Sequence, residues 1–179
     1  SLKTSAYSSS IPGEGLGDLM FRVELDSKME DAQLKLMSCD EDYFSLSEIK
    51  IIEGNNFSKN DTSISKKAFI INKAAADKFG WKNAIGKRMQ WGLLPNGQAE
   101  HDGVVIGVIE NFHTHSLHSE IAPMAIQYVT RKNYLSIKIN SKNADKEISE
   151  LKAIWHEELD DRITESFFLD ENFNHQYHS

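Results

Sequence analysis

Three histidines, His113, His115 and His118, fall within six positions of the segment 106–124 (IGVIENFHTHSLHSEIAPM), and Glu120 follows them. Imidazoles and a carboxylate are the donor set of catalytic zinc, where three protein ligands leave one position for a water whose pKa the metal lowers to about 7. Such a site would make the chain a metal-dependent hydrolase. The spacing argues otherwise. In a helical HExxH site two imidazoles four apart share one face with a carboxylate between them. Here His113 and His115 are two apart, on a stretch that leaves an apolar strand and ends at Pro123. A connection between strands, its polar side chains satisfying loop backbone, accounts for the same residues, and no metal or other cofactor is expected.

The other reactive side chains lack partners at useful spacing. Ser116 stands among the histidines, but no G-x-S-x-G elbow is present. Cys39 lies on a predicted strand, as an inert buried thiol would. The acids Asp40, Glu41 and Asp42 read as a helix cap, and the run 157–161 as a solvated helix face. Gly13, Gly15 and Gly17 follow no buried strand, which a dinucleotide fingerprint requires. No catalytic residue is assigned.

Composition limits the partners. The chain has 179 residues, 40% of them hydrophobic and 26% charged, with a net charge of −7. That is globular, and an anionic surface without a basic stripe disfavours nucleic acid. One cysteine excludes an internal disulfide. No stretch approaches the roughly 20 apolar residues of a membrane-spanning helix. The chain starts without an initiator methionine and stops on NFNHQYHS, and is expected to be an excised segment.

Periodicity supplies the elements. Residues 1–19, rich in Ser, Gly and Pro, predict a flexible lead-in. Strands are predicted over 20–25 and 32–39 from alternating Phe21, Val23, Leu34 and Leu36. A short helix capped by Asp40 carries Tyr43, Phe44 and Leu46, and a strand ending at Gly54 completes a β–α–β unit. Strand 68–71 runs into Asn72, a predicted cap for a two-turn helix that exits at Gly80. A strand after Gly86, a polar hairpin loop over 93–103 and a central strand over 104–109 follow. Two strands (MAIQYV, YLSIKI) precede a long amphipathic helix capped by Asn143, with Ala144, Ile148, Leu151, Trp155 and Leu159 in one stripe to lie on the sheet. SFFL (166–169) closes as a strand. The order suits an α+β fold, a mixed sheet with packed helices.

The segments LMSCDEDYFSLSEIKIIEGNNFS, AFIINKAAADKFGWKNAIGKRM, VVIGVIENFHTHSLHSEIAPM and NYLSIKINSKNADKEISELKAIWHEEL, taken together and in this order, resemble the extracytoplasmic core domain of MacB-like, FtsX-type ABC transporter permeases. The likeness runs over about residues 20 to 173. Asn55, Glu110 and Asn111 depart from the family pattern, and of the three histidines only His113 belongs to it. The resemblance implies a non-catalytic domain outside the cytoplasmic (inner) membrane, in the periplasm. It implies parent transmembrane helices, a cytoplasmic ATPase subunit or domain, a second permease unit, and an exported substrate or periplasmic partner. It also implies a discontinuous, membrane-proximal subdomain (1–60 and 124–179) and an inserted α/β subdomain (61–123). Within the latter, the loop QWGLLPNG carries Trp91, Leu93 and Leu94, which are expected either to contact a partner or to fold back into the core. A periplasmic binding or scaffold module is the other class open to such a chain.

Overall fold

A computed structural model of the chain describes residues 4–12, 14–60, 65, 67–112, 120–128, 132–139, 141–158 and 166–169. Among these lie nine strands: β1 (Ser5–Ser8), β2 (Asp18–Leu25), β3 (Lys28–Cys39), β4 (Ile51–Gly54), β5 (Ala68–Asn72), β6 (Arg88–Leu93), β7 (Ala99–Ile109), β8 (Met124–Tyr128) and β9 (Tyr134–Ile137). Three α-helices join them: α1 (Tyr43–Leu46), α2 (Lys73–Lys78) and α3 (Ala144–Glu158), the last preceded by a 3-10 turn at Ser141–Asn143. The fold is α+β with a mixed sheet, as the sequence predicts.

The strand pairings close on themselves. β2 is antiparallel to β3 and to β6, and β6 to β7. β7 runs parallel to β5, β5 antiparallel to β8, and β8 parallel to β3. Six strands thus form a closed hydrogen-bonded circuit, which removes the free edges an open sheet would present. β1 and β9 extend it from the far end of β3, and β4 attaches to β7. Strands from 61–123 pair on both sides with strands from the flanking portions.

Each strand of the circuit sends side chains to one core: Phe21 and Val23, Leu34, Phe69 and Ile71, Met89, Val105, and Ala125. Ala75 and Ala76 of α2 join them, with Phe79 and Trp81 packed alongside. A second core lies on the other side of β3, β5, β7 and β8, where Met37, Cys39, Ile70, Ile109, Met124 and Ile126 meet Tyr43, Phe44 and Phe57. On β5 alternate residues serve the two cores, and this is why that strand is apolar without a break.

Several expectations are corrected. The Ser-rich lead-in contains β1, whose Ala6 and Ser8 are fully buried; small side chains packed that tightly leave no hydrophobic signal. β7 begins at Ala99, inside the predicted hairpin loop, because AEHDG already alternates between the two faces. β4, the closing strand of the predicted β–α–β unit, lies antiparallel to β7. Ser166–Phe168 is not a strand, and Phe167, Phe168 and Leu169 are exposed. α3 contributes to neither core through its described side chains: Ala144, Ile148 and Leu151 are half-buried and Ile154 is exposed. Leu159 and the side chain of Trp155 lie outside the described residues.

Asn72 caps α2 as predicted and does more. Fully buried, it accepts at Oδ1 from the N–H groups of Ala75 (3.0 Å) and Met124 (2.9 Å) and donates from Nδ2 to the Ala122 carbonyl (2.9 Å). Asn111 adds a second cap, its Oδ1 accepting from the Ala74 N–H at 2.8 Å. Where β4 meets β7, Gly54 and Gly107 face each other. A Cβ on Gly107 would stand 2.3 Å from the Asn55 carbonyl oxygen, and Gly54 has a φ of +73°, a left-handed conformation that only glycine adopts without cost.

The turn before α1 is a partly buried polar network. Asp40 accepts from the backbone N–H of Tyr7 (2.7 Å) and of Asp42 (3.2 Å). The N-cap position of α1 belongs to Asp42, whose side chain makes no capping bond. Lys59 Nζ lies 2.6 Å from Asp42 and 3.4 Å from Glu41. The Tyr128 hydroxyl donates to Glu41 at 2.9 Å. Burial raises the Asp40 carboxyl above its usual range, against the Tyr7 N–H. Burial, then the Glu41 carboxylate, pushes the Tyr128 phenol up to about 12.

Two outcomes follow from these contacts. Asn72→Ala leaves buried backbone groups unpaired and should lower stability by about 3 kcal/mol in denaturant titrations, with Gly107→Ala at least as damaging. Tyr128 is raised in the folded chain, so its contribution is complete below the ordinary phenol value of 10.0 and is lost as pH climbs through about 12. Tyr128→Phe should therefore flatten the fall in melting temperature over that alkaline window.

Candidate partner-contact surface

The β6–β7 hairpin is built to hold its tip out from the circuit. Leu93 pairs with Ala99, and the tip is closed by the Leu94 N–H donating to the Gln98 carbonyl (2.8 Å) and the Gly97 N–H to the Leu94 carbonyl (2.9 Å). Asn96 reinforces it, accepting from the Gln98 N–H at 3.0 Å, while Gly97 takes the positive φ of 82° that the turn requires.

The three residues singled out in this loop divide. Trp91 folds back: half-buried against the first core, it donates from Nε1 to Gln127 Oε1 at 2.9 Å. Leu93 and Leu94 do not, being 43% and 41% exposed. The β2–β6 ladder ends where Phe21 pairs with Trp91, and Leu19 and Leu93 each lie two residues beyond that pair on the two neighbouring strands. Leu19 and Met20 are also exposed. The end of the circuit therefore carries an apolar surface drawn from two neighbouring strands. Sequence reading missed the β2 half of it, because Leu19 falls in the predicted lead-in and Met20 is the first residue of the predicted strand, and nothing local marks where burial stops.

His101 is a second residue that sequence reading passed over. On β7 it faces inward opposite Trp91, with its ring 4.6 Å from that of Phe69. Burial holds its pKa below the ordinary 6.5. Its position in the alternation, between outward Glu100 and Asp102, was the available signal.

The remaining candidates are placed or set aside. His113, His115, His118 and Ser116 lie outside the described residues. Glu120 is exposed, and among the described residues no group of three or more His, Cys, Asp or Glu stands where it could hold a metal ion. Cys39 is fully buried, and burial pushes its thiol well above the usual range. The departure at Asn111 has a structural use in capping α2, while Glu110 accepts from the Lys50 N–H at 3.1 Å.

No family model matches the chain, and no curated protein matches it. Solved structures do. The periplasmic region of MacB from Actinobacillus actinomycetemcomitans matches with a TM-score of 0.54 and 16% identity, over 87% of this chain and 68% of that one. The extracellular domain of the noncanonic ABC-type transporter YknZ from Gram-positive bacteria matches with a TM-score of 0.55 and 19% identity, over 81% and 70%. A domain described as that of a permease protein from Porphyromonas gingivalis gives 0.54 and 13%, over 86% and 70%. At such identities the likeness is one of fold. The chain has the α+β fold seen in these domains, two of which are the extracytoplasmic parts of MacB and YknZ.

Proposed function

We propose that this chain is the extracytoplasmic domain of a MacB-like, FtsX-type ABC transporter permease, a non-catalytic part that carries ATP-driven movement to a substrate or partner outside the membrane. The observation that carries the reading is the fold shared with the MacB and YknZ domains over more than four-fifths of the chain. The four quoted sequence segments support it independently. In this reading the portions 1–60 and 124–179 lie nearer the membrane and 61–123 reaches away from it. The parent transmembrane helices, a cytoplasmic ATPase and a second permease unit complete the machine. A relay must move as one body, and a closed strand circuit with a dense interior deforms little under load. It must also engage something, and exposed Leu93 and Leu94 on a braced hairpin are the surface best placed to do so.

Two measurements test the reading. The parent reading frame should contain apolar spans of roughly 20 residues flanking this segment, and its product should co-purify with an ATPase; a frame with neither rules the reading out. In the full-length permease, Leu93→Ser with Leu94→Ser should reduce transport about tenfold while leaving the melting temperature of the domain within about 2 °C, as expected for exposed positions. A large loss of melting cooperativity would instead assign these leucines to folding.

A further inference from the structure

The hairpin that presents Leu93 and Leu94 is fastened at a point that contains a titratable group. β6 and β8 are separated in the circuit by β7 and β5, so the Trp91–Gln127 hydrogen bond spans the interior and ties the hairpin to the opposite wall. His101 lies against this tie, its ring within 22° of parallel to the Trp91 indole and 6.4 Å from it between centroids, with Phe69 edge-to-face on it. Its Nε2 atom is buried with no hydrogen-bond partner among the described residues.

A neutral imidazole tolerates this as an unused acceptor. A hydrogen bond with the Ala68 backbone holds the ring proton on the other nitrogen. Protonation turns Nε2 into a charged donor with no acceptor among the described residues, which is far costlier than an idle lone pair. Among the described residues, the ring contacts and hydrogen bond from the other strands are with Trp91 (β6) and with Phe69 and the Ala68 backbone (β5), Trp91 in turn bonding Gln127 (β8), and none of these is charged. On β7 the Asp102 carboxylate bears on the ring, but Arg88 and Gln90 already engage it. A cation is drawn to an indole face only within about 6 Å of its centroid, so the 6.4 Å spacing offers little relief. Burial outweighs both Ala68 and Asp102.

We propose that His101 is a proton-operated latch: adding a proton at Nε2 expels the imidazole from between Phe69 and Trp91, breaks the Trp91–Gln127 tie and loosens the hairpin tip that carries Leu93 and Leu94. The sign is fixed by linkage. A histidine depressed in the folded state contributes stability above 6.5, and that contribution is lost as pH falls through its lower folded value. Loosening is therefore an acid response.

The test uses the 179-residue chain alone, with no transport readout, so it stands or falls separately from the transporter reading. Between about pH 7.5 and about pH 5, amide protection factors at Leu94 and Gly97, corrected for intrinsic exchange, should fall about tenfold with a midpoint below that of a free histidine, while those at Ile70 and Val105 hold. His101→Phe, which keeps an aromatic ring in place, should abolish the response. Gln127→Leu, which removes the indole's acceptor, should leave the tip poorly protected at both pH values. An undiminished response in His101→Phe, a tip in Gln127→Leu as protected as in the parent, or parallel loss at Ile70 and Val105 each overturns the latch.

Discussion

The structure depends on one buried amide. Asn72 satisfies the first turn of α2 and at the same time the backbone on either side of Pro123, so the end of β5, the start of α2 and the entrance to β8 are fixed by a single side chain. An unpaired buried N–H or C=O costs about 1–3 kcal/mol, and here three such groups depend on the same residue. β5 and β8 are adjacent in the circuit. A cap that is ordinarily a local matter of helix initiation thereby becomes a condition for closing the ring.

Closure explains the distribution of apolar residues better than layers do. A ring of six strands has one inside, and every strand contributes to it; the outside of β3, β5, β7 and β8 needs separate cover, which α1 and the stretch around Phe57 supply. The face of β2 and β6 turned away from the core has no such cover among the described residues and is correspondingly polar, with Arg22, Glu24, Arg88 and Gln90 bound into ion pairs and hydrogen bonds. Leu19 and Leu93 instead continue the core-facing phase of Phe21 and Trp91 past the end of that core, where they are exposed.

What could be read from sequence was what side chains declare about their own surroundings. Alternation at Phe21 and Val23, the Asn72 cap, the Gly80 exit and the Pro95–Gly97 turn all act over a few residues, and all are realised. Neighbour relations are different. That β2 meets β6, that β4 joins β7, and that Trp91 reaches Gln127 are decided by packing between distant segments, and no local pattern encodes them. β1 was illegible for another reason: Ser5, Ala6 and Ser8 carry the wrong side chains for a strand by propensity, and the pairing with β9 supplies the stability. The two-residue reversal at Asp26 and Ser27, both with positive φ, likewise lacks the glycine that usually announces such a hairpin. Leu93 and Leu94 were legible beside turn residues, whereas the alternation that turns His101 inward is hidden within a segment that reads as a loop.

β3 belongs to two neighbourhoods at once. Its first eight residues pair with β2 inside the circuit, and its last five run beside β8 and reach β1. Because successive side chains point to opposite faces, removing or adding one residue near Lys35 would invert Met37 and Cys39 relative to Leu34 and swap what each of the two cores receives. Length in this strand is accordingly under tighter constraint than composition, and drift among relatives should take the form of substitutions here while insertions collect in the connections.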